Sequence, residues 1–148
     1  MTPTSHSAAF ADLDAATLYA LLKLRVDVFV VEQKCAYPEL DGRDTEPTTR
    51  HLWTTDEAGS VTGYLRILTE TDGTVRIGRV AVAPSARGTG LAGRLMLDAL
   101  GQLGDRPCVL DAQTYLSGFY ERLGVTVTGP EFLEDGIPHV PMRREPSR

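Results

Sequence analysis

The sequence predicts a mixed α/β domain whose sheet contains hairpins and one parallel crossover. Three observations carry this. The middle of the chain alternates strand-like and helix-like apolar runs, in the order strand, helix, strand, helix. Asp72-Gly73 and Asp135-Gly136 sit between strand-like runs on either side of that stretch, as hairpin turns do. A glycine-rich loop joins a strand end to a helix start. The 148 residues are one domain's worth, so 1–148 reads as a single unit. Its polar ends, 1–7 and 144–148, are expected to fray.

The first helix is expected from Ala15 to Phe29, capped by Asp14. Leu18, Leu21, Leu22, Val26 and Phe29 make an apolar stripe at helical spacing, and Arg25 falls on it. Arg25 either snorkels past the core edge or holds a carboxylate of the acidic stretch that follows. That stretch, Ala36 to Thr49, carries Pro38, Gly42 and Pro47 with four acids, and its length suits a functional loop. Strands follow at His51–Thr55, Val61–Leu68 and Val75–Val82. In the third, Val75 and Ile77 set one alternation, and Val80 and Val82 sit on the opposite parity. An inserted residue near Gly78-Arg79 would reconcile them as a β-bulge; burial on both faces would need no reconciliation. A helix over Gly90–Leu103 ends at Gly104. An apolar strand, Cys108–Gln113, comes next, then a short helix with Leu116, Phe119, Tyr120 and Leu123 on one face, closed by Gly124. The chain ends in a strand pair, Val125–Glu134 and Ile137–Arg143, in which Pro138 and Pro141 predict partial pairing.

The net charge is -5 and argues against a nucleic-acid partner, which needs a basic face. Of the 15 basic residues only Lys23 and Lys34 are lysine, and the rest are arginine, the residue of planar contact with phosphate and carboxylate. Two cysteines make no disulfide framework: Cys108 lies in an apolar run, and Cys35 is a free thiol in a polar one. No run is long and apolar enough for a membrane span, and Met1–Ser7 lacks the regions of a signal peptide, so a cytoplasmic protein without membrane contact is expected. The acids of the loop have no liganding histidine or cysteine cluster beside them, so no metal is expected.

The sharpest motif is Val80-Ala81-Val82-Ala83-Pro84-Ser85-Ala86-Arg87-Gly88-Thr89-Gly90-Leu91-Ala92-Gly93. A strand, a proline turn, a glycine-rich loop and a helix start make an anion cradle. Free N–H groups and the helix dipole face the anion, glycines admit close approach, and Arg87 adds charge. The ending differs from a P-loop and from the dinucleotide fingerprint.

In these residues the chain resembles the GNAT N-acetyltransferase superfamily, whose signature is Arg/Gln-x-x-Gly-x-Gly/Ala; Arg87, Gly90 and Ala92 match it. The later Phe119-Tyr120-Glu121-Arg122-Leu123-Gly124 also matches. Leu18 to Leu22 with Arg25, Val28 to Gln33, Arg50-His51, Gly78-Arg79-Val80 and Glu134 to His139 look like its ElaA-like branch. The resemblance implies the GNAT-like acyl-CoA N-acyltransferase fold. That is a mixed, mostly antiparallel sheet with a splayed parallel strand pair, in the order β-α-α-β-β-β-α-β-α-β-β. It implies acetyl transfer from acetyl-CoA to an amine of a small molecule or of a protein or peptide. The co-substrate would be held by Val80, Ala81 and Val82, by Arg87, Gly88, Thr89, Gly90, Leu91, Ala92 and Gly93, and by Phe119. A main-chain N–H near Val80 would face the thioester oxygen. Tyr120 would serve the departing thiolate.

The strand ending at Val82 has no glutamate, where many relatives place the base. His139 is the first choice instead, because histidine as a residue type titrates near neutral pH; His51, Glu32 and Asp111 are alternatives. Arg25, Phe29, Glu32, Glu39, Asp41, His51, Arg66 and Gln113 are candidates for the acceptor site. The acids of Glu39-Leu40-Asp41-Gly42-Arg43-Asp44 either recognise a cationic acceptor or pair with Arg25, Arg50 or Arg66. Two other functions remain open. Arg25, Phe29 and Glu39-x-Asp41-x-x-Asp44 look like the N-terminal pattern of acyl-homoserine-lactone synthases, and a non-catalytic acyl-CoA sensor would need the same cradle. A monomer or a homodimer would serve any of these.

Overall fold

A computed structural model describes residues 3–145 of the chain. The chain enters the sheet at once. Strand β1 (Thr4–Ala9) pairs antiparallel with β2 (Arg50–Thr55) from Thr4↔Thr55 to Ala9↔Arg50. The expected fraying of 1–7 is thus corrected from residue 4 onward. Its polar side chains concealed a strand whose hold is backbone pairing at the sheet edge. Arg144 is likewise paired, opposite Cys108. Residues 1, 2 and 146–148 of the expected frayed ends lie outside the described residues.

Helix α1 (Ala15–Val26) starts where Asp14 accepts a hydrogen bond from the Thr17 N–H at 2.7 Å. It does not stop at Val26. Residues Asp27–Glu32 continue it as a π-helical segment, which takes the place of the second helix in the expected order. Wide turns such as Gln33 N–H to Val28 C=O and Cys35 N–H to Val30 C=O bring the chain out of it, and Lys34 takes a left-handed φ of 53°.

Strands β2, β3 (Val61–Thr69) and β4 (Val75–Val82) form an antiparallel meander. The parity argument for β4 holds. Tyr64 pairs with Ala81 and Arg66 with Gly78, so Leu65 faces two residues, Arg79 and Val80. That extra residue keeps Val80 on the same core as Val75 and Ile77. The left-handed residue in the bulge is Arg79, with φ 54°, rather than Gly78.

The chain crosses through α2 (Leu91–Leu103) to β5 (Cys108–Gln113), which lies parallel to β4. Only Val75↔Cys108 and Arg76↔Val109 pair before the two strands separate. A short helix, α3 (Ser117–Glu121), leads to β6 (Thr126–Val127), β7 (Phe132–Glu134) and β8 (Ile137–Arg144). The sheet order is β1-β2-β3-β4-β5-β8-β6, with β7 also on β8.

The expected partial pairing of the last strand is corrected: β8 pairs along the whole of β5, and the strand before it is the one that breaks. The Pro141 carbonyl accepts from the Thr128 N–H at 2.9 Å, so the donor Pro141 lacks would also point to that side, at the gap between β6 and β7. Pro138 points the other way, just beyond the last β5 pair, Gln113↔His139. Gly129 fits the gap because a Cβ there would come within 2.9 Å of the Pro141 ring.

Helix α1 and its π-helical continuation cover one face of the sheet through Leu21, Leu24 and Val28 on Trp53, Tyr64 and Ala81. Helices α2 and α3 cover the other through Leu95, Met96, Ala99 and Tyr120 on Leu65, Ile77 and Leu110.

Candidate active site

Where β4 and β5 part, a cleft of about 360 Å³ passes between them. It is lined from both faces of the sheet. Phe29 and Tyr37 come from the α1 side, Arg66, Arg79 and Val80 from the bulge region, and Gln113, Tyr120 and His139 from the far side. The bulge and the splay build this space: one removes β4 from regular register with β3, and the other removes it from β5.

Tyr120 is held in α3 with its ring edge against Phe119, 5.0 Å between centroids. Burial pushes its hydroxyl up to about 12, so it is a proton holder and a hydrogen-bond donor. His139, on β8, is buried. Its Nδ1 lies 2.7 Å from the Ile137 carbonyl, which can only accept, so Nδ1 carries the proton. In the neutral ring this leaves Nε2 with a lone pair; Glu134 Oε2 is 3.5 Å from it.

The loop before α2 is open. Gly88 and Gly90 have φ of 79° and 78°, and a Cβ at either would meet nothing within 4 Å. No side chain caps the N-terminus of α2. Glycine here answers the backbone conformation and leaves the helix N–H groups open, which suits a pyrophosphate. Thr89 is tied to the Ala86 carbonyl at 2.7 Å. The side chains of Leu91 and Ala81 are buried, so only their main chain is offered to a ligand. Gly93 abuts Phe119. Arg87 is already engaged. Its Nε donates to the Val82 carbonyl, and its two terminal nitrogens donate to Glu32 at 2.5 and 2.6 Å. Those bonds hold the Glu32 carboxyl below its ordinary range, which makes Glu32 a poor base.

The acidic loop does not open toward an acceptor. Glu39, Asp41 and Asp44 alternate with Arg25, Arg66 and Arg79 in a closed ring of ion pairs. Glu39 bonds Arg25 and Arg79 at 2.7 and 2.9 Å, Asp44 bonds Arg25 and Arg66 at 2.7 and 3.1 Å, and Asp41 bonds Arg66 and lies 3.6 Å from Arg79. Burial alone would raise the Asp44 carboxyl, but Arg25 and Arg66 outweigh it and hold it low. Hydrogen bonds from Arg66 hold Asp41 well below the usual carboxylate range. Of the two readings open for the loop acids, pairing with Arg25 and Arg66 is the one seen, with Arg79 in place of Arg50. The expectation that Arg25 and Glu39 contact the acceptor is corrected, because both are buried, at 1% and 4% exposure, with their charges spent on each other; Asp41 is paired with Arg66 and keeps 28% of its side chain exposed. His51 is corrected too. Its Nε2 donates to the Asp44 carbonyl, its Nδ1 accepts from Tyr64, and burial lowers its pKa, so it is a neutral core residue and no base. Arg66 takes part in the ring and also lines the cleft with Phe29 and Gln113. Asp111 is paired with Arg76 at 3.1 Å across the start of the splay.

Tyr37, Arg79 and Glu134 line the site and were not singled out for it by sequence. For Arg79 a signal existed, since the parity break points to it. Cys35 also reaches the cleft, where its thiol approaches the Asp135 carbonyl at 3.7 Å. Cys108 is buried, which pushes its thiol up to about 11.

Residues 25–146 match the family model described as the acetyltransferase (GNAT) domain. The UPF0039 protein Rv2851c of Mycobacterium tuberculosis is 54% identical over 136 residues, covering 90% of this chain and 87% of that protein. Two crystal structures superpose closely. An acyl-CoA N-acyltransferase from Pseudomonas aeruginosa has 43% identity and a TM-score of 0.91, covering 97% of this chain and 99% of its own. Escherichia coli ElaA has 36% identity and a TM-score of 0.92, covering 97% and 100%. Among the described residues, no helix is long and apolar enough to cross a membrane.

Proposed function

The chain belongs to the GNAT acetyltransferase family, in its ElaA-like branch, and from that premise we propose that it transfers an acetyl group from acetyl-CoA to an amine of a small molecule or a peptide. The observation that carries the reading is the juxtaposition, in one cleft, of the Val80 bulge, the Tyr120 hydroxyl and His139. The open, uncapped glycine loop before α2 supports it.

The loop from Gly88 to Gly93 offers its N–H groups to the pyrophosphate of the co-substrate, which supplies the activated thioester. The main chain of Val80 and Val82 borders the pantetheine arm. His139 Nε2 takes a proton from the acceptor ammonium, because Nδ1 is already committed to Ile137. The neutral amine then forms a C–N bond to the thioester carbon, the C–S bond breaks, and the second proton passes from the nitrogen to the departing sulfur, so that an amide and free CoA thiol leave while His139 returns the first proton to solvent. A main-chain N–H at or near Val80 stabilises the oxyanion, an effect of about 3–4 kcal/mol per donor in other enzymes. Tyr120 donates a hydrogen bond to the departing sulfur. With its hydroxyl near 12 and a thiol near 8.5, full proton transfer would be uphill by about 5 kcal/mol. Hydrogen-bond donation is the role its burial supports.

The test is release of free CoA from acetyl-CoA across an amine panel. Tyr120→Phe should lower kcat about tenfold or more, and His139→Ala about a hundredfold. Gly90→Asp should abolish CoA binding, because it puts a strained backbone and a negative charge at the pyrophosphate. Rates unchanged in both catalytic variants would remove these roles. Tight CoA binding with no turnover on any amine would make the protein an acyl-CoA sensor.

A further inference from the structure

Arg79 occupies the left-handed region that glycine normally takes, while Gly78 beside it does not. For a residue with a Cβ that region is disfavoured by about 1–2 kcal/mol, about five- to thirtyfold. Something must hold it there. Arg79 Nε donates to Glu39 Oε2 at 2.9 Å, and Nη2 donates to the Glu39 carbonyl at 3.1 Å. The guanidinium also lies over the Tyr37 ring, 5.6 Å from its centre, and the Tyr37 hydroxyl donates to the other Glu39 oxygen. Glu39 is 4% exposed and is fixed from behind by Arg25, which bonds both its carboxylate and its carbonyl. The acidic loop therefore grips the one residue of β4 whose backbone departs from the strand.

We infer that this grip sets the bulge, and that Glu39 and Arg79 are positioning residues acting through the main chain of Val80. The inference rests on the reading of the cleft as the thioester site. Val80 lies on the cleft, directly after Arg79, opposite Leu65, which two residues share. If Arg79 relaxed to ordinary strand geometry, the extra residue would no longer be absorbed and the Val80 N–H would turn away. Through Glu39 and Arg79 the ring of ion pairs thus serves the reaction by way of the main chain of Val80.

Comparison of Arg79→Ala with Arg79→Gly tests this. Both remove the grip, but only alanine retains the penalty on left-handed backbone. Arg79→Ala should lose about tenfold in kcat with the KM for acetyl-CoA within about twofold of wild type, and Arg79→Gly should regain most of that loss. A role in stability alone would lower the unfolding midpoint of the variants and leave the kcat and KM of the folded enzyme unchanged. The Val80 amide resonance reads the bulge without turnover. It should move in Arg79→Ala and return toward its wild-type position in Arg79→Gly. Equal impairment of the two variants, or an unmoved resonance in Arg79→Ala, overturns the inference. A wild-type protein that releases no CoA overturns the acetyltransferase reading instead, and the resonance pattern still decides whether the Arg79 side chain holds the bulge.

Discussion

Arg87 and Glu32 form a two-point ion pair, at 2.5 and 2.6 Å, that joins the glycine loop to the end of the π-helical segment. The pair is exposed on both sides, with 42% and 44% of the side chains accessible. If the loop binds the pyrophosphate of CoA as proposed, the phosphate competes with Glu32 for the arginine. Glu32→Gln removes that competitor and a nearby negative charge. It should tighten CoA binding, by no more than about fivefold because exposed pairs are weak. The gain should shrink in high salt. Calorimetry at two salt concentrations measures it, and weaker binding in the variant would show that Glu32 orients Arg87 rather than competing.

Arg25 is the buried hub of the ion-pair ring, bonded to Glu39 and Asp44 and stacked 5.4 Å from the centre of the Tyr64 ring. Arg25→Met leaves two carboxylates in the interior with their pairing reduced. The expected cost is about 3–5 kcal/mol, the range for breaking a buried ion pair from one side. Urea unfolding at neutral pH gives the value. A loss below about 1 kcal/mol would mean that water reaches the ring.

Asp41 and Asp44 are held below their ordinary range by arginines, so their folded pKa values lie under the unfolded ones. Groups shifted this way contribute stability that is present above about pH 4 and lost as pH falls through the folded pKa values. Below pH 4 the unfolded chain binds more protons than the native one, so stability should drop with falling pH. Asp41→Asn should flatten that drop. Unfolding free energies between pH 2.5 and 7 provide the check, and an unchanged slope in the variant would place the acid-sensitive group elsewhere.

Much of the site was legible in the sequence because its signals are local. The parity change between Val75, Ile77 and Val80 leaves a bulge or burial on both faces as the two readings, and the register of β4 on β3 is the bulge. The uncapped start of α2 follows from Gly88 and Gly90. Tyr120 came from the family motif on α3, and it does line the cleft. The broken strand before β8 was harder to read. Pro141 looked like a defect in its own strand, yet the donor it lacks faces the opposite neighbour.

The sequence by itself determined the elements from α1 to α3, the crossover through α2 and the glycine loop before it, because periodicity, turn residues and glycine φ act over a few positions; β1 and the break between β6 and β7 carry no such local signal. Only the tertiary structure decided which arginine meets which acid. Arg25 pairs with Glu39 and Asp44 across 14 and 19 residues, and Arg79 reaches Glu39 across 40. Any of a dozen or so arginines carries the same charge and reach, so composition leaves their partners degenerate. Burial between α1, the loop and β4 removes the degeneracy: a desolvated carboxylate is tolerable only where a guanidinium fork already points at it. That is why Glu39 turned out to face the bulge rather than an acceptor.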